Sequence, residues 1–200
     1  MKLKLTVLTA AMSLLALSSC KDDDKKIAVD NKLTANTETI KLTDAAFIWD
    51  TKAGTDDDGN EYYRNELAFL SAGMQISANE DGSPKLTGNA TIMTLLINND
   101  IQELQPGTYT WQGEEHEQPF DLWDAYYYKN YDLESEQRYG FSTAQLVVTK
   151  SGDSFTLVLS GTAYPSIRSE FGWDGLDLEE DPIAVTLQYQ GTLKNFKQDF

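Results

Sequence analysis

The chain has 200 residues, and its 16 lysines and arginines stand against 32 aspartates and glutamates, which gives a formal net charge of −16. This length suits one domain with a sizeable core. An acidic balance repels phosphate backbones, and no basic patch interleaved with aromatic residues occurs, so the composition argues against nucleic acid as a partner. The only cysteine is Cys20, which leaves no disulfide inside the domain.

The first nineteen residues have the anatomy of an export signal. Lys2 and Lys4 form a basic start, and residues 5–17 are almost wholly apolar or small. This run is shorter than the roughly 18 apolar residues that a membrane-spanning helix needs. We therefore predict that residues 1–19 are removed after export and take no part in the fold.

Cys20 directly follows Leu17-Ser18-Ser19, a stretch that resembles the lipobox of bacterial lipoproteins. The resemblance implies cleavage before Cys20 and acylation of its sulfur, as with palmitate. One acyl chain holds a protein at a membrane only marginally, whereas this family carries three, which implies an effectively permanent anchor. The alternative is an ordinary signal peptide with a cysteine nearby by chance.

A short acidic block, Asp22, Asp23 and Asp24, follows the cysteine. It resembles the surface-export signal of lipoproteins in the Bacteroidetes phylum, and the resemblance implies display on the outer face of the outer membrane. A solvated tether is the alternative, with the protein on the periplasmic face, since charge runs seldom fold. We predict an acylated cysteine and charged tether over residues 20–36, and a single β domain over residues 37–200.

The chain from residue 37 onward predicts strands almost throughout. Residues 37–50, 62–77, 86–99 and 108–111 are rich in β-branched and aromatic residues and are separated by turn residues. No helix of the usual length shows a sustained 3.6-residue period. We therefore predict an all-β fold, an antiparallel β-sandwich, with a lipocalin-like β-barrel as the alternative.

The clearest element is a hairpin over residues 142–163. With Ser151-Gly152 as a two-residue loop, the large apolar residues fall on one face, and a slip by one residue would scatter them across both. We expect four residues to be buried together as cross-strand pairs: Val148 with Phe155, and Leu146 with Leu157.

Three stretches of the second half together resemble the layout of small Bacteroidetes surface lipoproteins of uncharacterised function. They are LQPGTYTW, AQLVVTKSGDSFTLVLSGTA and the alternating final strand VTLQYQGTLKNF. The resemblance implies a β-rich fold and supplies no catalytic residues. This chain departs from the layout in an acidic insertion over residues 164–181.

Candidate catalytic and metal sites are weak. His116 is the only histidine and lies among glutamates in a stretch best interpreted as a solvated loop, and no G-x-S-x-G elbow occurs. No EF-hand register fits, so Asp56, Asp58 and Glu61 would form at most an irregular calcium site, against the simpler interpretation of a solvated turn. We expect a protein without enzymatic activity, cofactor or resident metal.

The aromatic stretch around residue 126 is the best candidate for ligand binding. Its candidate residues are Trp123, Tyr126, Tyr127, Tyr128 and Tyr131. Successive strand residues point to opposite faces, so at least one of the three consecutive tyrosines should reach solvent. Exposed aromatic rings beside acids can stack on sugars or contact a protein, and ordinary core packing is the alternative.

These observations predict an outer-membrane-anchored, surface-exposed lipoprotein with a binding or structural role in the envelope. Its partners would be the membrane, through the lipid on Cys20, and a glycan or an envelope protein. Two more specific alternatives are a glycan-binding module of a nutrient-capture system and a binder of a small apolar ligand inside a lipocalin-like barrel.

Overall fold

The computed structural model describes residues 30–55, 58–111, 122–169 and 172–198, without the side chains of Trp123 and Asp174. Cys20, the acidic block and His116 lie outside these ranges. The described residues form strands and turns but no helix, so no helix there could cross a membrane. The strands are β1 (Lys32–Ala35), β2 (Glu38–Asp50), β3 (Gly54–Thr55), β4 (Glu61–Ser71), β5 (Met74–Ala78), β6 (Pro84–Gly88), β7 (Ile92–Asn99), β8 (Gly107–Trp111), β9 (Leu122–Lys129), β10 (Gln137–Ser151), β11 (Ser154–Ser169), β12 (Gly172–Leu176), β13 (Ile183–Gly191) and β14 (Lys194–Gln198).

Eight strands pair antiparallel in a closed circuit. The order is β1-β2-β4-β7-β9-β10-β11-β13, and β13 pairs again with β1. The predicted all-β, antiparallel fold is confirmed. Because the pairing returns to its first strand, hydrogen-bonded strands surround the core.

The interior of the circuit is filled by the apolar face of each strand. Strand alternation brings every second residue inward, and the inward residues share near-zero exposure. They include Leu33, Leu67, Phe69, Met93, Leu95, Ile97, Leu146, Leu159, Val185 and Leu187. Burial of this apolar surface is the dominant favourable term in folding.

A second, smaller cluster covers part of the outside. The hairpin of β5 and β6 packs on the outer faces of β2, β4 and β7 around Ile48, Leu70 and Ile92. Strand β14 pairs parallel with the end of β2 and adds Phe196 to this cluster. The backbone of Gly88, at the end of β6, lies close to the backbone of Gly73, which precedes β5. The φ angle of Gly88 is +104°, and a Cβ atom there would come within 1.9 Å of the Gly73 carbonyl oxygen. Only glycine fits there.

The β10–β11 hairpin keeps the predicted face but not the predicted register. Ser151 opposes Ser154, so the two-residue loop is Gly152-Asp153, and Gly152 has a φ of +59°. A glycine at the first central position is the requirement of a type II′ turn, which matches strand twist. The partners therefore shift by two residues: Leu146 opposes Leu159, Val148 opposes Leu157, and Phe155 opposes Lys150.

The prediction that Phe155 is fully buried with the other three is wrong. Leu146, Val148 and Leu157 are buried, whereas Phe155 is half-buried at the end of the circuit. The predicted boundary between tether and domain is also too late. Strand β1 pairs with β2 and β13, and its Leu33 is fully buried.

The acidic insertion over residues 164–181 extends the hairpin rather than interrupting it. Strand β11 continues to Ser169 and pairs with β12. Leu176 of β12 lies over Gly140 on the outer face of β10, where a Cβ atom would come within 2.5 Å of the leucine Cδ2. A ribbon of two strands therefore packs across the outside of the circuit.

Candidate functional site

A cavity of about 860 Å³ lies at one end of the circuit, and we call it the end pocket. Four segments that are distant in sequence form it: the end of β2, the β7–β8 connection, the tip of the β10–β11 hairpin and the β13–β14 connection. Its lining residues are Phe47, Trp49, Ile101, Gln102, Glu103, Leu104, Lys150, Asp153, Phe155, Thr192, Leu193 and Asn195.

The β7–β8 connection is held at the side of the end pocket by hydrogen bonds. Gln102 donates its amide Nε2 to the Asp50 carbonyl oxygen at 2.9 Å. The Tyr109 hydroxyl lies 2.9 Å from the Gln105 carbonyl oxygen. These contacts fix the connection as a wall, with Leu104 packed on the core and Ile101 left 43% exposed at the rim.

The walls of the end pocket are mixed in chemistry. Phe47, Trp49 and Phe155 supply aromatic surface, and the Lys150 ammonium lies 5.2 Å from the centre of the Phe155 ring. Asp153 adds a carboxylate of opposite sign at the same hairpin tip. The volume lies within the range of about 300–1,000 Å³ that is typical of small-molecule sites, and polar and apolar residues contribute equally to the lining.

A second cluster of side chains lies on the outer face of β9 and β10, and we call it the outer cluster. Its members are Tyr126, Tyr128, Tyr131, Arg138, Arg168 and Trp173. The Arg138 guanidinium lies 4.2 Å from the Tyr126 ring centre and 5.3 Å from that of Trp173. Its Nε donates to the Ser166 hydroxyl at 3.2 Å. Cation–π contacts of this kind tie the β11–β12 ribbon to the sheet.

The three consecutive tyrosines alternate across β9 as the sequence predicts. Tyr126 and Tyr128 are half-buried on the outer face, with Tyr131 edge-on to Tyr128 at 5.6 Å. Tyr127 points into the core, where it is 1% exposed and stacks on Tyr139 at 5.5 Å. It is therefore unsuited to the predicted surface role. The Trp123 side chain lies outside the described part of the chain.

Burial changes the acidity of groups on the outer face. It raises the pKa of Glu66 from 4.5 to about 7. Glu66 lies on β4 opposite Ile48 and Leu96, which replace water around its carboxyl group. Burial also raises the pKa of Tyr128 to about 12, and the nearby Glu66 carboxylate contributes to this rise.

The predicted metal ligands are only partly described. Asp56 and His116 lie outside the described ranges, and Asp58 and Glu61 are exposed. Among the residues that are described, no three acidic, histidine or cysteine side chains converge as a metal site.

The end pocket was not predicted at the level of residues. Its lining comes from segments up to about 150 positions apart, and no local pattern joins them. The one available signal was the pair of apolar residues Ile101 and Leu104 in a connection whose other residues are mostly polar. No family model, curated protein or solved structure matches this chain. Fold and site therefore define its class as an all-β domain with a pocket at one end of a closed strand circuit.

Proposed function

We propose that this chain is an outer-membrane lipoprotein, anchored through lipid on Cys20 and displayed at the cell surface, whose β domain binds a small ligand in the end pocket. The sequence supports the anchor, because a basic start, a short apolar run and Leu17-Ser18-Ser19 precede the only cysteine. The acidic block, residues 22–24, supports surface display. This proposal assigns the domain a binding role and no reaction.

The observation that carries the binding role is the end pocket of about 860 Å³. The interior of the circuit is filled, but at its end the aromatic walls from β2 and β11 remain partly uncovered. Trp49 and Phe155 are half-buried, and Ile101 is 43% exposed beside them. An apolar ligand body would cover this surface and gain about 25 cal/mol per Å² of apolar area removed from water.

A direct test measures binding of an uncharged, environment-sensitive fluorescent apolar probe to the chain that begins at residue 20, with Cys20→Ser. We expect saturable binding that Ile101→Glu weakens at least tenfold, because a charge would enter the apolar rim. The matched control is Ile167→Glu, at a residue that is 47% exposed on the β11–β12 ribbon. Absence of binding to the parent, or equal binding by both variants, would contradict the proposal.

Glycan binding at the outer cluster is the second candidate, favoured by the partly exposed Tyr126, Tyr128 and Tyr131 on one face. Arg138 already occupies one face of the Tyr126 ring, so a sugar would contact Tyr131 and the remaining ring surface. A glycan array with Tyr131→Ala as the loss variant tests this candidate. Tyr164→Ala, at another half-buried tyrosine, is the control. An array without any hit would leave a protein contact or a structural role in the envelope.

A further inference from the structure

The chain enters the domain at the same end as the end pocket. Asn31 precedes β1, and its side chain pairs with the backbone of Gln190 in both directions: Nδ2 donates to the Gln190 carbonyl at 3.3 Å, and Oδ1 accepts from the Gln190 N–H at 2.7 Å. The Asn31 carbonyl accepts from the Leu42 N–H at 2.9 Å. These hydrogen bonds hold Asn31, where the chain enters the domain, against the end of β13.

The pocket wall begins two residues beyond this contact. Gly191 pairs with Phe155, and Thr192 and Leu193 then line the end pocket. The Tyr189 hydroxyl donates to the Thr192 carbonyl at 2.8 Å, which holds the connection in place. The pocket wall and the entry of the chain are thus built on adjoining residues at the end of β13.

The length of chain between Cys20 and the domain limits how the domain can face a membrane. Residues 21–30 connect Cys20 to the start of the domain. These ten residues span at most about 35 Å when fully extended. A domain of about 170 residues has a radius of gyration of about 15 Å, so its opposite end is roughly 30 Å or more away. To turn that end to the membrane, the connecting chain would have to run nearly straight along the whole domain.

We propose that the end pocket faces the membrane to which Cys20 is anchored, and that it takes a zwitterionic single-chain phospholipid from that membrane. This inference rests on the proposed function. The acyl chain would lie against Phe47, Trp49 and Phe155. Lys150 and Asp153 at the rim carry opposite charges, which suits a head group with one phosphate and one amine.

The charge of the protein is consistent with this choice of head group. With a formal net charge of −16, the chain repels purely anionic amphiphiles. The end pocket itself has one lysine against two acids, Glu103 and Asp153. A fatty acid would place its carboxylate among these acids, whereas a zwitterion brings a compensating amine.

The orientation is tested with two matched Ser→Cys variants of the lipidated protein in liposomes. Ser151 is exposed at the pocket end, and Ser135 is exposed in the β9–β10 turn at the opposite end. Acylation of Cys20 leaves the introduced thiol as the only one available for a fluorescent donor. We expect at least twofold more efficient energy transfer from position 151 than from position 135 to acceptor-labelled head groups. Equal or reversed efficiencies would overturn the orientation.

The ligand is tested in the same liposomes with a chain-brominated, zwitterionic lysophospholipid, which quenches nearby tryptophan. We expect quenching in the anchored protein that Trp49→Phe reduces by at least half, with Trp111→Phe as the control. If Trp49→Phe leaves the quenching unchanged, the ligand assignment is wrong.

Two further results separate the inference from the proposed function. If the Cys20→Ser chain binds the fluorescent probe in solution but the anchored protein does not quench, uptake from the membrane is wrong and binding stands. If neither form binds any amphiphile, the proposed function itself fails. In that case the energy-transfer comparison of positions 151 and 135 would still show which end of the domain faces the membrane, because it does not depend on ligand binding.

Discussion

Glu66 offers a sharp test of the packing on the outer face, because its side chain is a carboxyl group in a largely apolar setting. Its pKa of about 7 in the folded protein exceeds its ordinary value of 4.5 through burial. Between these two pH values the folded state binds more protons at this group than the unfolded state. Stability from this group is therefore fully present below about pH 4.5 and is lost as pH rises through 7.

The size of the effect follows from the two pKa values. At about 1.4 kcal/mol per tenfold change, the folded protein would lose up to about 2.5 kcal/mol from Glu66 between pH 5 and pH 8.5. Part of the Glu66 surface still contacts solvent, and Tyr128 and Tyr131 lie nearby with polar hydroxyl groups. We therefore expect about 1–2 kcal/mol in practice.

The measurement is urea unfolding of the parent and Glu66→Gln at pH 5 and pH 8.5. The glutamine keeps the shape of the side chain but does not ionise. The free energy of unfolding of Glu66→Gln minus that of the parent should therefore be about 1–2 kcal/mol larger at pH 8.5 than at pH 5. Glu61→Gln, at an exposed position on the same strand, is the control and should track the parent. Parallel pH profiles for the parent and Glu66→Gln would show that the carboxyl group is not desolvated.

Three further predictions concern the anchor, the export signal and the core. Cys20→Ser should leave unprocessed precursor and abolish partitioning into the detergent phase, whereas partitioning after processing would contradict the anchor. Alanine at residues 22–24 should reduce protease accessibility on intact cells without altering lipidation, and equal accessibility would leave only the tether interpretation. Leu159→Ala should lower the free energy of unfolding, measured in urea, by about 2–5 kcal/mol because Leu159 is fully buried. Val158→Ala, at a position that is 42% exposed, should lower it by less than about 1 kcal/mol. Equal losses for the two variants would refute the assigned faces.

The strands could be predicted from the sequence wherever one face of a strand is buried and the other is exposed to solvent. Val185, Leu187 and Tyr189 alternate with polar residues on β13, and all three are buried. The same alternation along the β10–β11 hairpin places Val147 and Val158 on the outside, where both are exposed. Local periodicity decides these positions because each residue faces either core or water.

The hairpin register was missed for a local reason. A loop at Ser151-Gly152 would pair Lys150 with Asp153 as opposite charges, but a surface pair of this kind contributes little free energy. The conformation of Gly152 outweighs it, since a glycine with positive φ at the first loop position matches the twist of the flanking strands. Moving the loop by one residue preserved every face, so the apolar pattern alone did not reveal the error.

The closure of the circuit and the end pocket lay beyond sequence reasoning for a different reason. Strand β1 has only four residues, Lys32–Ala35, and resembles the polar tether that precedes it. Its identity as a strand depends on its partners β2 and β13, and Lys32 pairs with Gln188, more than 150 positions away. No window of local sequence contains that pairing.

The placement of β1 has a consequence for how the protein is made. Lys32 and Gln188 belong to adjacent strands, so the circuit cannot close until nearly all of the chain is present. Long-range pairing of this kind makes folding slow, because loop-closure entropy is lost before the contacts form. A chain still emerging from a ribosome lacks β13 and has an open sheet. The order of strands thus delays closure of the circuit until synthesis of the chain is almost finished.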